Sequence, residues 1–66
     1  MIKEIVLIIL LFNGELNLIS LPFSGTIQEC FAHGDKVRMD NFTYDDERNT
    51  WFLNQGSGTW QGFICR

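Results

Sequence analysis

The chain has few of the residues that nucleic-acid binding, metal binding and nucleophilic catalysis require. Among its 66 residues are five basic and eight acidic side chains, and His33 is the only histidine. Without a basic cluster to neutralise phosphates, nucleic acid is not an expected partner. Two cysteines and one histidine lack the spacing of a zinc finger, and no serine has the strand–elbow–helix setting of a hydrolase nucleophile. The sequence therefore predicts a protein that is not an enzyme and holds no cofactor or metal.

The chain is also short, with room for one domain whose core is small. Domains of this size usually add a disulfide, a metal or a partner. Cys30 and Cys65 are the only cysteines, and we expect them to form one disulfide. Closing a loop of this length contributes about 3.8 kcal/mol in the chain-entropy treatment. Disulfides persist in oxidising compartments, so the pair indicates a secreted or periplasmic protein. The alternative is two free thiols in a cytosolic protein.

The N-terminal segment carries one uninterrupted apolar run, residues 5–12, shortly after Lys3. A basic residue followed by such a run is typical of a secretory signal peptide. Eight helical residues cover about 12 Å, well short of the roughly 30 Å hydrocarbon core of a bilayer. We therefore predict a signal peptide over residues 1–20, removed after Ser20, and a domain over residues 21–66. The alternative is an uncleaved hydrophobic helix that anchors the chain, and a membrane is an expected partner only if residues 5–23 are retained.

The rest of the chain predicts an all-β fold, a small antiparallel meander of three to four strands closed by the disulfide. Alternating and aromatic-rich runs separated by turn residues place the strands at residues 26–32, 36–44, 50–54 and 59–65. His33-Gly34-Asp35 is expected to form a turn, and no window after residue 20 has a clear helical period. Phe42 and Tyr44 break the alternation of their strand. A bulge at Asp40-Asn41 would bury them, and without it they would be exposed.

Aromatic residues point to the candidate binding surface. A single sheet of this size buries one face, so some of its aromatic side chains should face outward, where they typically mark a protein contact or a sugar-stacking surface. Trp51 and Phe52 are adjacent in one strand and must point to opposite faces. The alternative is that a small core simply uses large side chains. The predicted surface is the loop at residues 55–61 with the two tryptophans: Trp51, Gln55, Ser57, Gly58, Trp60 and Gln61.

A few positions resemble a known family. Cys30, Gly34, Val37-Arg38-Met39, Ser57-Gly58, Trp60 and the cysteine near the C-terminus are faintly similar to bacterial periplasmic inhibitors of c-type lysozyme. The resemblance covers only these positions, and it implies that the Ser57-Gly58 loop enters the cleft of a lysozyme. We therefore expect a small exported binding protein, an inhibitor or blocker of a protein partner outside the cytoplasm. The alternative is a membrane-anchored accessory subunit of a larger complex.

Overall fold

The computed structural model describes residues 1–66 as one antiparallel sheet of five strands with one helix packed on it. The elements in chain order are β1 (Ile2–Leu10), β2 (Leu16–Gly25), α1 (Ile27–Asn41), β3 (Phe42–Asp45), β4 (Thr50–Leu53) and β5 (Thr59–Cys65). The strand order in the sheet is β2-β1-β5-β4-β3, so β1 lies between β2 and β5. The predicted antiparallel β fold and its disulfide are confirmed. The predicted count of three to four strands is wrong, because the N-terminal segment adds two.

Residues 2–25 form a hairpin of two strands, which corrects the hydrophobic helix considered for this segment. Isoleucine and valine dominate β1, and their branched side chains favour strands over helices. The connection turns at Gly14, whose φ of 90° suits glycine, and the Leu11 N–H donates to the Glu15 carbonyl at 2.8 Å. Removal of residues 1–20 as a signal peptide stays a prediction. No helix in the structure has the length and apolar content needed to span a bilayer.

Strand β1 supplies most of the buried core. Six apolar residues are buried in the whole chain, and four of them belong to this strand: Ile5, Val6, Leu7 and Ile9. Ile5 and Leu7 pack with Cys30 of the helix. Because β1 has a partner strand on each side and the helix above it, the N-terminal segment is the centre of the fold.

The helix α1 occupies residues that were predicted to form a strand, a turn and most of a second strand. Its start is fixed by a capping box in which the Thr26 hydroxyl accepts from the Glu29 N–H at 3.2 Å and the Glu29 carboxylate accepts from the Thr26 N–H at 2.9 Å. Only Cys30 and Gly34 of α1 are buried. So narrow a contact stripe leaves almost no helical period in the sequence, and the prediction failed for that reason.

Gly34 lies in the middle of α1 because the sheet beneath it leaves no room for a side chain. A Cβ built on Gly34 would lie 2.5 to 2.7 Å from three ring atoms of Phe63 on β5. One turn earlier, Cys30 is bonded to Cys65 at the end of the same strand. The glycine and the disulfide together hold the helix close against β5.

The C-terminal half of the sheet is close to the prediction. β4 and β5 match the expected strands at 50–54 and 59–65, while only the end of the expected strand at 36–44 is extended, as β3. The helix runs to Asn41, so neither of the two alternatives for a strand through Asp40-Asn41 applies as stated. Phe42 is buried, whereas Tyr44 is 41% exposed. The sheet has two register shifts: in β5, where Ile8 pairs with Gly62 and Ile9 with Trp60, and in β2, where Ile2 pairs with Gly25 and Glu4 with Pro22.

Candidate functional site

The two faces of the sheet have different surroundings. Ile5 and Leu7 face the helix, since they pack with Cys30. Side chains alternate along a strand, so Val6, Ile8 and Leu10 point to the opposite side. The cross-strand pairs of β1 place further apolar side chains beside them. We call this helix-free side the open face, and its apolar residues are Val6, Ile8, Leu10, Leu16, Leu18, Phe52 and Ile64.

The open face is apolar, and three of its side chains on β2 and β5 are exposed. Leu16 is 64% exposed, Leu18 is 61% exposed, and Ile64 is 45% exposed. At the turn, the ring of Phe12 contacts that of Phe52 with 6.2 Å between centroids. Contiguous exposed apolar patches on a small domain mark contact surfaces, so the open face is the leading candidate for a functional site.

Sequence reasoning missed the open face because its residues on β1 and β2 had been assigned to a signal peptide. One signal was present nonetheless. Asn13-Gly14-Glu15 after the apolar run favours a turn, and Leu16-Asn17-Leu18 then alternates apolar and polar residues, as a strand does.

An ion pair between Glu4 and Arg66 lies at the end of the open face that is distant from the β1–β2 turn. Glu4 of β1 accepts a hydrogen bond from the Ser20 hydroxyl of β2 at 2.7 Å, and its carboxylate lies 3.4 Å from Nε of Arg66. The Ser20 hydroxyl lowers the pKa of Glu4, and the positive charge of Arg66 acts in the same direction. Because Glu4 and Arg66 offset each other, this end of the face has little net charge to repel or attract a partner.

The predicted tryptophans lie on the helix-covered face, and both are half-buried. Trp60 packs edge-on against Phe42 with 5.1 Å between ring centroids. Trp51 lies beneath the guanidinium of Arg38, which is 4.7 Å from its ring centroid, and contacts Tyr44. Both side chains thus pack the sheet against the residues around α1, and only part of each surface remains for a partner.

The other predicted site residues are divided between the β4–β5 loop and β5. Gln55 and Ser57 are exposed in that loop, and Gln61 is exposed where β5 changes register. Gly58 is buried, and a Cβ there would lie 2.7 Å from Cγ2 of Ile9. The structure therefore does not gather the six residues into one surface. Their role in binding stays a prediction.

The residues that carried the family resemblance lie in different elements. Cys30, Gly34 and Val37-Arg38-Met39 belong to α1. Of the loop pair expected to enter a lysozyme cleft, Ser57 is exposed and Gly58 is not. Entry of this loop into a cleft stays a prediction, and it would depend on Ser57 and its exposed neighbours.

A second apolar feature lies on the helix-covered face, beyond the end of α1. It is a groove of about 240 Å³, smaller than the roughly 300–1,000 Å³ of drug-sized ligand sites. The Asn41 side chain at its rim donates its amide N–H to the Val37 carbonyl at 2.9 Å. The groove could take an apolar side chain of a partner. Its lining comprises Leu7, Ile9, Ile19, Leu21, Val37, Asn41, Phe42 and Leu53.

Comparison with protein-family models, with curated proteins and with solved structures found no match to this chain. The surface itself is therefore the source of functional inference. The open face is formed by residues from β1, β2, β4 and β5, and it carries the exposed side chains of Leu16, Leu18 and Ile64.

Proposed function

We propose that this chain is a small binding protein that covers an apolar surface of a protein partner with the open face of its sheet. The observation that carries the proposal is the uncovered apolar side of β1 and β2, where Leu16 and Leu18 are more than 60% exposed. A helix covers the other side of the same strands. On the open face Val6 is buried and Phe12 packs on Phe52, but Leu16 and Leu18 are left mostly exposed.

The size of the face suits a protein partner. The molecule measures 36 × 23 × 17 Å, and the roughly 800 Å² that each partner contributes to a standard protein interface would take up nearly the whole outline of its broad side. The chain has a net charge of −3, which disfavours anionic membranes and nucleic acid. A protein with a flat apolar surface is the class that fits.

The compartment follows from the disulfide. Cys30 and Cys65 are bonded, and such bonds are typical of oxidising, extracytoplasmic environments. We propose a secreted or periplasmic location within that class. There the chain would act as an inhibitor or blocker, because a flat face laid over a partner shields that partner's surface from other molecules.

A second candidate is an accessory subunit of a larger complex. Obligate interfaces are more apolar than transient ones, and the apolar residues of the open face favour permanent burial. In this case the chain would stay with its complex on dilution, whereas a blocker would dissociate reversibly. Both candidates use the same face.

The test uses a charge on the open face and a matched charge elsewhere. Leu18 is 61% exposed on the open face, and Met39 is 66% exposed on α1, so Leu18→Glu and Met39→Glu make similar changes at two places. A photoreactive residue at position 16 or 39 first identifies the partner, which is then purified and titrated. We expect Leu18→Glu to weaken binding by at least about thirtyfold, the equivalent of a 2 kcal/mol hot spot, and Met39→Glu to leave it within threefold.

Two results would overturn the proposal. One is equal cross-linking from positions 16 and 39, which would mean that contact with the partner is not specific to the open face. The other is a partner whose affinity is unchanged by Leu18→Glu but reduced by Trp60→Ala in a folded protein, which would move the surface to the residues predicted from the sequence.

A further inference from the structure

Strand β2 is a long, uncharged and uncovered edge of the sheet. It is ten residues long, Leu16–Gly25, and none of them is charged. The opposite edge, β3, has four residues. Natural edge strands are usually protected by charged side chains, bulges, proline or short length. β2 carries two of these devices, Pro22 and a register shift between Pro22 and Gly25, and both lie beyond the stretch from Leu16 to Ser20.

The hydrogen-bond pattern identifies which backbone groups of β2 point outward. Glu4 and Arg66 exchange two backbone hydrogen bonds, at 2.9 and 3.1 Å. Bonded and non-bonded pairs alternate in antiparallel strands, so the even-numbered residues of β1 bond to β5 and the odd-numbered ones to β2. From Glu4 onward, the odd-numbered residues of β1 pair with odd-numbered residues of β2, and the even-numbered residues pair with even-numbered ones. The backbone groups of Leu16, Leu18 and Ser20 therefore face the open edge.

Pro22 supports this assignment. It pairs with Glu4 and has the same parity as Leu18 and Ser20, so its missing N–H lies on the outer side. Proline is found in sheets at such edge positions because no ladder hydrogen bond is lost there. The strand thus already tolerates a proline at an outward-facing position.

We propose that β2 pairs antiparallel with β2 of a second copy, about a two-fold axis at Leu18. In this register Leu18 pairs with Leu18 of the second copy, and Leu16 pairs with its Ser20. The three outward-facing residues of each copy would exchange backbone hydrogen bonds with the other. The product is a continuous ten-stranded sheet in which the two open faces lie side by side.

Charge and side-chain chemistry favour a second copy over an unrelated strand. Two uncharged strands can pair without bringing like charges together, although each chain carries a net charge of −3. The nearest acidic residue along the chain, Glu15, would lie six residues from its counterpart. That is about 20 Å along a strand, beyond the roughly 10 Å Debye length at 0.1 M salt. The leucines of both copies would form cross-strand apolar contacts on one face.

The experiment compares two variants at the same position. Leu18→Pro removes an outward N–H, and Leu18→Thr removes the leucine side chain but keeps that N–H. Sedimentation of the oxidised full chain over a wide concentration range measures dimerisation. We expect the wild type to dimerise, Leu18→Pro to weaken the dimer at least tenfold more than Leu18→Thr does, and both variants to keep the wild-type circular dichroism. A chain that is monomeric at all concentrations, or equal weakening by both variants, would overturn the inference.

A second measurement covers the case in which Leu18→Pro does not fold. In a mixture of isotope-labelled and unlabelled wild-type chains, the proposed register places the Asn17 Hα opposite the Ile19 Hα of the second copy, and we expect a nuclear Overhauser effect between them. Intermolecular contacts confined to Leu10 and Ile64 would instead mean face-to-face packing and contradict the proposal. Edge pairing leaves the open face exposed, so a negative result here does not affect the proposed function.

Discussion

Removing the Cys30–Cys65 disulfide should take away much of the stability of this domain. The two cysteines are 35 residues apart in sequence, for which the chain-entropy treatment gives a stabilisation of about 3.8 kcal/mol. A chain of 66 residues has a total stability of about 3–10 kcal/mol at the usual 0.05–0.15 kcal/mol per residue. Loss of the bond therefore costs at least a third of the free energy of unfolding and can exceed all of it. The helix should loosen first, because Cys30 and Gly34 are its only buried residues.

Urea unfolding followed by tryptophan fluorescence measures this effect, since Trp51 and Trp60 are both half-buried in the fold. The oxidised protein is compared with the same protein under reductant and with the Cys30→Ala/Cys65→Ala double variant. We expect both to lose 2–5 kcal/mol, as is typical when a small domain loses its native disulfide. A loss below about 1 kcal/mol in both would refute the reasoning, because the sheet and helix would then be stable without their covalent link.

Three further predictions concern the helix and the N-terminal strands. Gly34→Ala should lower the free energy of unfolding by about 1–3 kcal/mol, because its Cβ would clash with the Phe63 ring. This loss is expected despite the better helix propensity of alanine. The double variant Gly34→Ala/Phe63→Leu should recover part of the lost stability in the same urea assay. The Thr26 N–H lowers the pKa of Glu29 by donating a hydrogen bond to its carboxylate. The stability that this hydrogen bond contributes should be complete above the ordinary glutamate pKa. It should be lost as the pH falls through the lowered pKa that Glu29 has in the folded state. Urea midpoints should fall less on acidification in Glu29→Gln than in the wild type, and the fall that remains includes the contribution of Glu4, whose pKa is also lowered. A chain of residues 21–66 lacks β1 and should show no cooperative thermal transition by circular dichroism.

The sequence was informative where strands carried local signals. The runs at β4 and β5 are rich in aromatic and branched residues and are bounded by turn residues, and both strands lie where expected. The rule that adjacent strand residues point to opposite sides also held, since Trp51 contacts Arg38 of the helix and Phe52 contacts Phe12 at the open face. The disulfide could be predicted because the chain offers a single pair of cysteines.

The helix was missed because its signal is polar rather than apolar. Its contact with the sheet is one narrow stripe, and a glycine in that stripe suggested a turn. The Thr26-Ile27-Gln28-Glu29 capping box was the better indicator of a helix start. A glycine is required at position 34 because the Phe63 ring leaves no room for a Cβ. Phe63 lies 29 positions further along the chain, so no local sequence pattern could predict this requirement.

The open face was missed for a related reason. A run of eight apolar residues near the N-terminus fits both a leader and a central strand that is buried on both sides. Strand β1 became recognisable as a strand only through its pairing with β2 and β5. The open face could be recognised only once β1 was known to be a strand, because its residues are separated by up to 58 positions in the chain, from Val6 to Ile64.

Amide hydrogen exchange of the oxidised full-length chain tests most directly whether β1 is the centre of this sheet, on which the open face depends. Because β1 is hydrogen-bonded to β2 and β5 and supplies Ile5, Val6, Leu7 and Ile9 to the core, the amides of residues 5–9 should be the slowest to exchange, at the rate of global unfolding. Rapid exchange throughout residues 2–10, alongside protected amides in β4 and β5, would contradict the account, since the N-terminal segment would then lie outside the folded domain.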